Sequence, residues 1–369
     1  MTQFHTKTPA AATVALALGL ILGACRAPAT AQPPAPAPAT ASFSTATHYT
    51  NPIGTGVVRL GDPFALQHEG TYYLYGTGGR NGFRYYTSTD LGNWTAAGYA
   101  YQAPADAPPA GSYWAPEVTR YQGKFYMVYS CAPQLPEGGT EPYRMCLAVA
   151  DSPAGPFTDL HKPWLPYAYG TIDGHIFVDT DGTPYLYFAA VGKSAPPQTW
   201  IYGVIYGVQL KADLSGPEGE PFFCSEAMQP WERPFSDRTR CNEGAFVLKR
   251  GETYYMTYSA NRWNDSFYAI GYSTAPSPRG PWTKSEANPL VGETREIGLS
   301  GPGHSSMAAS PDGTELFIVY HAHAPAGIRG GRTLNIDRVT FDKDGGMHVA
   351  PTRSPQPLPS AKTPAPQPK

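Results

Sequence analysis

One pattern recurs five times along the 369 residues, and it constrains the fold more than any other feature. The blocks open at Asp62 (DPFALQHEGTYYLYGT), Trp114 (WAPEVTRYQGKFYMVYS), Asp173 (DGHIFVDTDGTPYLYFAA), Glu243 (EGAFVLKRGETYYMTYS) and His304 (HSSMAASPDGTELFIVYHA). Each is a short apolar strand, a polar turn carrying Gly70, Gly123, Gly182, Gly251 or Gly313, and a second strand that in most blocks is rich in aromatics. The openings lie roughly 50 to 70 residues apart, a period that holds several strands per unit. A third segment follows in every block, at 85–94, 146–157, 206–217, 270–282 and 335–346, reading as an outer strand that ends in an Asp/Ser/Pro/Gly turn. No block contains a long 3.6-residue apolar period, so helix is expected to be nearly absent. The pattern predicts an all-β, five-bladed β-propeller forming a single domain over residues 46–350.

In a propeller the first strand of each blade lines the axis, so equivalent positions of different blades converge at one mouth of the channel. Asp62, Asp173, Glu243 and His304 each stand eight or nine residues before their turn glycine, and Trp114 holds that place in the second block. Glu117 is nearer its turn and is expected outside this ring. The reading is three carboxylates beside an aromatic platform. Residues 217–240, in the longest interval, are expected to wall one side of the mouth and favour a pocket over a groove.

Charge adds an exclusion. With 27 Lys and Arg against 29 Asp and Glu, the chain offers no basic field for nucleic acid or an anionic membrane surface. Aromatics make up 13% of the residues, including 25 Tyr, which suits a β protein that meets sugars. Residues 1–24 read as an export signal with an apolar run from Ala10 to Leu22, too short for a membrane span. The sequence Leu22-Gly23-Ala24-Cys25 resembles a bacterial lipobox, which implies cleavage before Cys25 and lipidation of its thiol. The expected location is then a bacterial membrane, periplasmic or cell-surface, held only through that lipid. Residues 25–45 form an Ala/Pro-rich spacer and 351–369 a Pro-rich tail, expected to be disordered. In an oxidising compartment Cys131, Cys146, Cys224 and Cys241 are expected in disulfides. Of the three pairings, the local one (Cys131 with Cys146, Cys224 with Cys241) is favoured.

Glycoside hydrolysis needs one carboxylic acid to protonate the leaving oxygen and a second carboxylate to activate water or attack. A third nearby carboxylate can keep the acid protonated. Asp62, Asp173 and Glu243 supply that set, and around them the chain resembles glycoside hydrolase family 43. The resemblance rests on Gly61-Asp62-Pro63-Phe64, Trp114-Ala115-Pro116-Glu117, Thr171-Ile172-Asp173-Gly174-His175, Asn242-Glu243-Gly244-Ala245-Phe246, Gly301-Pro302-Gly303-His304-Ser305 and Gly331-Arg332-Thr333. Ala245 replaces the family's usual proline, which affects backbone stiffness rather than the acid. The resemblance implies Asp62 as general base, Glu243 as general acid, Asp173 as the modulator of the acid's pKa, and inversion at the anomeric carbon. It implies Trp114, His304 and Arg332 near an oligo- or polysaccharide substrate, no cofactor for the chemistry, and a structural calcium or axial water near His304. His175, His304, His321 and His323 have no recurrent zinc spacing.

The expected enzyme is a monomeric exo-α-L-arabinofuranosidase. β-Xylosidase, exo-β-galactosidase and endo-arabinanase are the alternatives within the class, and an inactive glycan-binding propeller is the alternative outside it.

Overall fold

The computed structural model describes residues 47–79, 81–105, 113–132, 143–165, 167–191, 203–233, 240–325 and 327–361. Cys25, the signal and the spacer lie outside these residues. Five four-stranded antiparallel sheets follow one another in chain order. Their innermost strands are Gly61–His68, Tyr113–Tyr121, Gly170–Val178, Asn242–Arg250 and Gly303–Ala309. The only helical elements among the described residues are two 3₁₀ turns, Pro230–Glu232 and Arg295–Ile297. The five-bladed all-β propeller expected from the repeat is the fold.

The aromatic second strands read as near-continuous apolar runs because both faces of each sheet are covered by neighbouring blades. Thr253–Ala260, sequence TYYMTYSA, is buried at every position but the first. The hydrophobic clusters lie at blade interfaces rather than in one central core. Leu74 and Tyr72 of blade one meet Phe317 and Val319 of blade five, and Val128 and Met145 of blade two meet Ile176 and Leu186 of blade three.

Each blade also has a fourth strand that the repeat does not separate, because these strands are partly exposed and, except for Thr95–Gln102 of blade one, only two to four residues long. Phe222–Ser225 and Thr283–Lys284 are examples. Of residues 217–240, expected to wall the mouth, the described part supplies the outer edge of blade three, then a 3₁₀ turn whose Trp231 packs near Tyr258 of blade four. Residues 234–239 lie outside the described set. The tail expectation is corrected up to residue 361. Gln356–Pro357 pairs with His48–Tyr49, and Leu358 packs on the core between blades one and five. Proline does not exclude a two-residue edge pairing.

No blade is shared between the two ends of the chain, so the ring closes through that short pairing, a 2.9 Å hydrogen bond from the Ile53 N–H to the Leu334 carbonyl, and side chains. Asn51 acts as a substitute strand residue: its Nδ2 donates to the Ile336 carbonyl at 2.7 Å and its Oδ1 accepts from the Ile336 N–H at 3.0 Å. Ser306 Oγ accepts from the Ala65 N–H at 3.1 Å and donates to the Pro63 carbonyl at 3.0 Å. Asn51 is buried, so Asn51→Ala strands both Ile336 groups. The expected loss of stability is about 1–3 kcal/mol, read from the denaturant midpoint at unchanged slope.

Candidate active site

Every innermost strand breaks its register near the mouth. The breaks fall at Gly61/Phe64, Trp114/Glu117, Ile172/His175, Glu243/Phe246 and Gly303/Ser305. At each break one residue takes a left-handed backbone: Asp62 (φ 51°), Ala115 (φ 44°), Asp173 (φ 58°), Gly244 (φ 59°) and His304 (φ 47°). Four are not glycine, and holding a non-glycine residue there costs of order 1–3 kcal/mol. Bulges of this kind re-aim side chains.

Hydrogen bonds from the preceding blade hold four of these bulges. The N–H of Ala115 donates to Thr77 Oγ1 (2.8 Å), that of Asp173 to Ser130 Oγ (3.1 Å), that of His304 to Ser259 Oγ (2.7 Å) and that of Asp62 to His321 Nδ1 (3.1 Å). Thr77, Ser130, Ser259 and His321 occupy one position, opposite the residue that precedes each bulge. Its counterpart in blade three is Ala189, which has no acceptor, and the bulge that faces it is the glycine one, Gly244.

The single ring inferred from counting is therefore two adjacent rings. Asp62, Asp173 and His304 are bulge residues, whereas Glu243 and Trp114 each precede a bulge. The block length varies by one residue, which hid the offset. All three carboxylates are still buried beside one another. His304 Nδ1 lies 3.5 Å from Asp62 Oδ1 and 3.8 Å from Asp173 Oδ2. Arg332 Nη1 donates to Asp62 Oδ1 at 2.7 Å. The guanidinium reaches it by lying directly over Gly61, where any Cβ would sit 1.8 Å from Arg332 Cζ. Tyr268 donates to Glu243 Oε1 at 2.8 Å, and the Cys241 thiol to Glu243 Oε2 at 3.4 Å. Glu117, outside the ring as expected, stands beyond the bulge of its strand, is buried, and takes a 2.6 Å hydrogen bond from His175 Nδ1.

These surroundings separate the carboxyl groups electrostatically. Burial alone would raise Asp62, but Arg332 and then His304 outweigh it and hold Asp62 well below the usual carboxylate range. Burial raises Asp173 to about 8, opposed by His304 and reinforced by Glu243 and Asp62. Burial likewise raises Glu243, against the hydrogen bond from Tyr268 and the charge of His304. The nearby Glu243 charge adds to the rise of Asp173, so burial of the two groups favours a proton on this side of the site at neutrality. Burial pulls His304 down, but Asp62, Asp173 and other carboxylates more than compensate, favouring the imidazolium. His321 is driven the other way by burial and by Arg332, to the neutral form. That agrees with its Nδ1 accepting from Asp62 N–H, so its 3.5 Å approach to Asp62 Oδ1 is no ion pair.

Among the described residues no group of three His, Cys, Asp or Glu is placed to hold a metal ion, and His304 Nδ1 itself faces two carboxylates as a cation would. Trp114 is half-buried and stacks on Tyr143 with ring centroids 3.5 Å apart. Arg332 also lies over the exposed Trp263, 5.3 Å from its ring centre.

The disulfide expectation is not met, since all four described cysteines are buried free thiols. The sulfurs of Cys131 and Cys146 are 3.3 Å apart, beyond bonding distance, and Cys241 turns its thiol to Glu243. Sequence reasoning missed Tyr268 because it belongs to no repeated segment. The role of His321 was readable: the second strands end YGT, VYS, YFA, TYS and VYH, with Thr77, Ser130, Ala189, Ser259 and His321 in register.

A solved thermostable family-43 glycoside hydrolase is 41% identical, with a TM-score of 0.79 over 85% of this chain and 100% of that one. A β-D-galactofuranosidase of Aspergillus niger is 30% identical over 203 residues, 54% of this chain and 52% of that protein. An extracellular exo-α-(1→5)-L-arabinofuranosidase of Streptomyces avermitilis is 26% identical over 243 residues, 63% of this chain and 48% of that protein. The chain thus spans about half the length of these two curated relatives. Residues 49–347 match glycosyl hydrolases family 43, nearly the whole propeller, and the chain belongs to that family of glycoside hydrolases.

Proposed function

We propose that this glycosidase is an inverting, exo-acting α-L-arabinofuranosidase that trims plant cell-wall polysaccharide, with Asp62 as general base, Glu243 as general acid and Asp173 holding the acid's proton. The observation that carries the reading is the opposed charging of neighbouring carboxyl groups. Arg332 and His304 keep Asp62 ionised and able to take a proton from water, while burial keeps a proton on the Glu243 and Asp173 pair. Such a division is what glycoside hydrolysis by a carboxyl pair requires, and the family resemblance favours single displacement.

The choice of a furanoside is supported by the two curated relatives, one acting on arabinofuranosides and the other on galactofuranosides. An α-L-arabinofuranosyl and a β-D-galactofuranosyl ring share stereochemistry from C1 to C4 and differ in the exocyclic arm, so β-D-galactofuranosidase is the second reading. Product analysis on arabinan, arabinoxylan, xylan, arabinogalactan and aryl β-D-galactofuranoside tests both. Release of arabinose alone supports the first reading; galactose from the last substrate, or only oligosaccharides from arabinan, removes it.

Asp173→Asn tests the modulating role. In the wild type, loss of one proton from the pair leaves a charge that opposes loss of the second. The neutral amide removes that repulsion, so Glu243 should ionise at lower pH. The basic limb of kcat/KM against pH is expected to move down by about one unit. A limb that stays in place sinks the assignment.

A further inference from the structure

The two oxygens of Glu243 are held by neutral donors of different strength. Tyr268 Oη donates to Oε1, and Cys241 Sγ, two residues before the acid, donates to Oε2. The thiol is fully buried and fixed in place. Its backbone bridges to Gly203, where a Cβ would lie 2.9 Å from the sulfur, so a bare backbone leaves the thiol its space. The next residue, Asn242, is clamped: its Oδ1 accepts from Ser225 Oγ (2.7 Å) and Lys284 Nζ (2.9 Å), and its Nδ2 donates to Glu232 Oε1 (3.2 Å) and to the Cys241 carbonyl (2.8 Å). Glu232 is itself wholly buried, paired with Lys284 and accepting the N–H groups of Met228 and Gln229 at 2.7 Å each. The segment that forms the edge of blade three thus anchors Cys241-Asn242-Glu243 as one rigid unit.

We propose that Cys241 acts as a free thiol and is a positioning residue for the general acid, its S–H holding Glu243 Oε2 while Tyr268 holds Oε1. The step it serves is simple: the Glu243 proton passes to the glycosidic oxygen as the C1–O bond breaks, and the carboxyl group becomes a carboxylate. Donors to that carboxylate strengthen as its charge develops, so they favour the transition state over the ground state. A Cys224–Cys241 disulfide would remove the proton that does this.

The inference rests on the proposed role of Glu243, and the test separates the two. Cys241→Ala, Cys241→Ser and Glu243→Gln are assayed across pH on arabino-oligosaccharide and on 4-nitrophenyl α-L-arabinofuranoside. Loss of the donor leaves burial less opposed at Glu243, so the basic limb of Cys241→Ala should rise by about half a pH unit. Turnover of the oligosaccharide should fall roughly three- to tenfold, with the aryl substrate much less affected. Cys241→Ser, which restores a donor, should bring the limb back. An unmoved limb, or equal loss on both substrates, overturns the inference while leaving the role of Glu243 intact. Undiminished oligosaccharide turnover by Glu243→Gln overturns that role instead. If Cys241→Ala does not fold, the near-isosteric Cys241→Val carries the same readout. Mass spectrometry after alkylation without reductant should find Cys241 as a thiol, and a Cys224–Cys241 disulfide there also defeats the proposal.

Discussion

Glu243→Gln is expected to lower kcat on arabino-oligosaccharides by about 10²–10⁴-fold while leaving most of the activity on 4-nitrophenyl glycosides. The amide keeps the size and the hydrogen bond from Tyr268 but has no proton to give. A sugar alkoxide departs poorly without that proton, whereas 4-nitrophenolate departs without help. The ratio of the two losses, rather than either alone, identifies an acid. Equal losses on both substrates would mean that residue 243 shapes the site without protonating the leaving group. The basic limb should also disappear from the residual turnover of oligosaccharide, because the group whose deprotonation sets it is gone.

Much of this site was legible because the chain repeats itself. Five copies of one strand-turn-strand unit define the blades, and the residues opening them are forced toward one axis. Asp62, Asp173 and His304 were placed correctly by that argument alone. Glu243 was found for a partly wrong reason: counting from the turn glycine made it equivalent to the two aspartates, yet it sits one residue earlier, with Gly244 taking the bulge. A one-residue difference in block length is invisible to counting, but it changes which way a side chain leaves the strand.

The rest was not legible for physical reasons that can be named. Tyr268 approaches Glu243 from a region between strands that no repeat constrains, and Arg332, though expected near the substrate, gave no sign of its pairing with Asp62, 270 residues earlier in the chain. The cysteines misled because the expected export argues for disulfides as a class, whereas all four described cysteines are free and Cys241 turns its thiol to Glu243. The tail misled through composition, since proline-rich residues beyond 350 still close the ring against His48–Tyr49.

Asp62→Asn should produce the second large loss, about 10²–10⁴-fold in kcat, and here the loss should be similar for oligosaccharide and aryl substrates. The base acts on water, and attack by water is part of bond cleavage whichever group departs. Asparagine retains the shape of the bulge and can still meet His321, but it cannot accept a proton, and it leaves the Arg332 guanidinium without its charge partner. The same pairing fixes where the wild-type acidic limb lies. Arg332 and His304 hold Asp62 below its ordinary range, so activity should persist on the acid side to well below the pKa of a free aspartate. Arg332→Met leaves burial unopposed by its largest counterweight, and the acidic limb should move upward. An α-L-arabinofuranoside cleaved by the wild type should first release β-L-arabinofuranose, seen by proton NMR before mutarotation. Release of the α anomer would make Asp62 a nucleophile rather than a base. In that case Asp62→Asn would abolish a covalent intermediate, and the opposed charging of Asp62 and Glu243 would serve a double displacement.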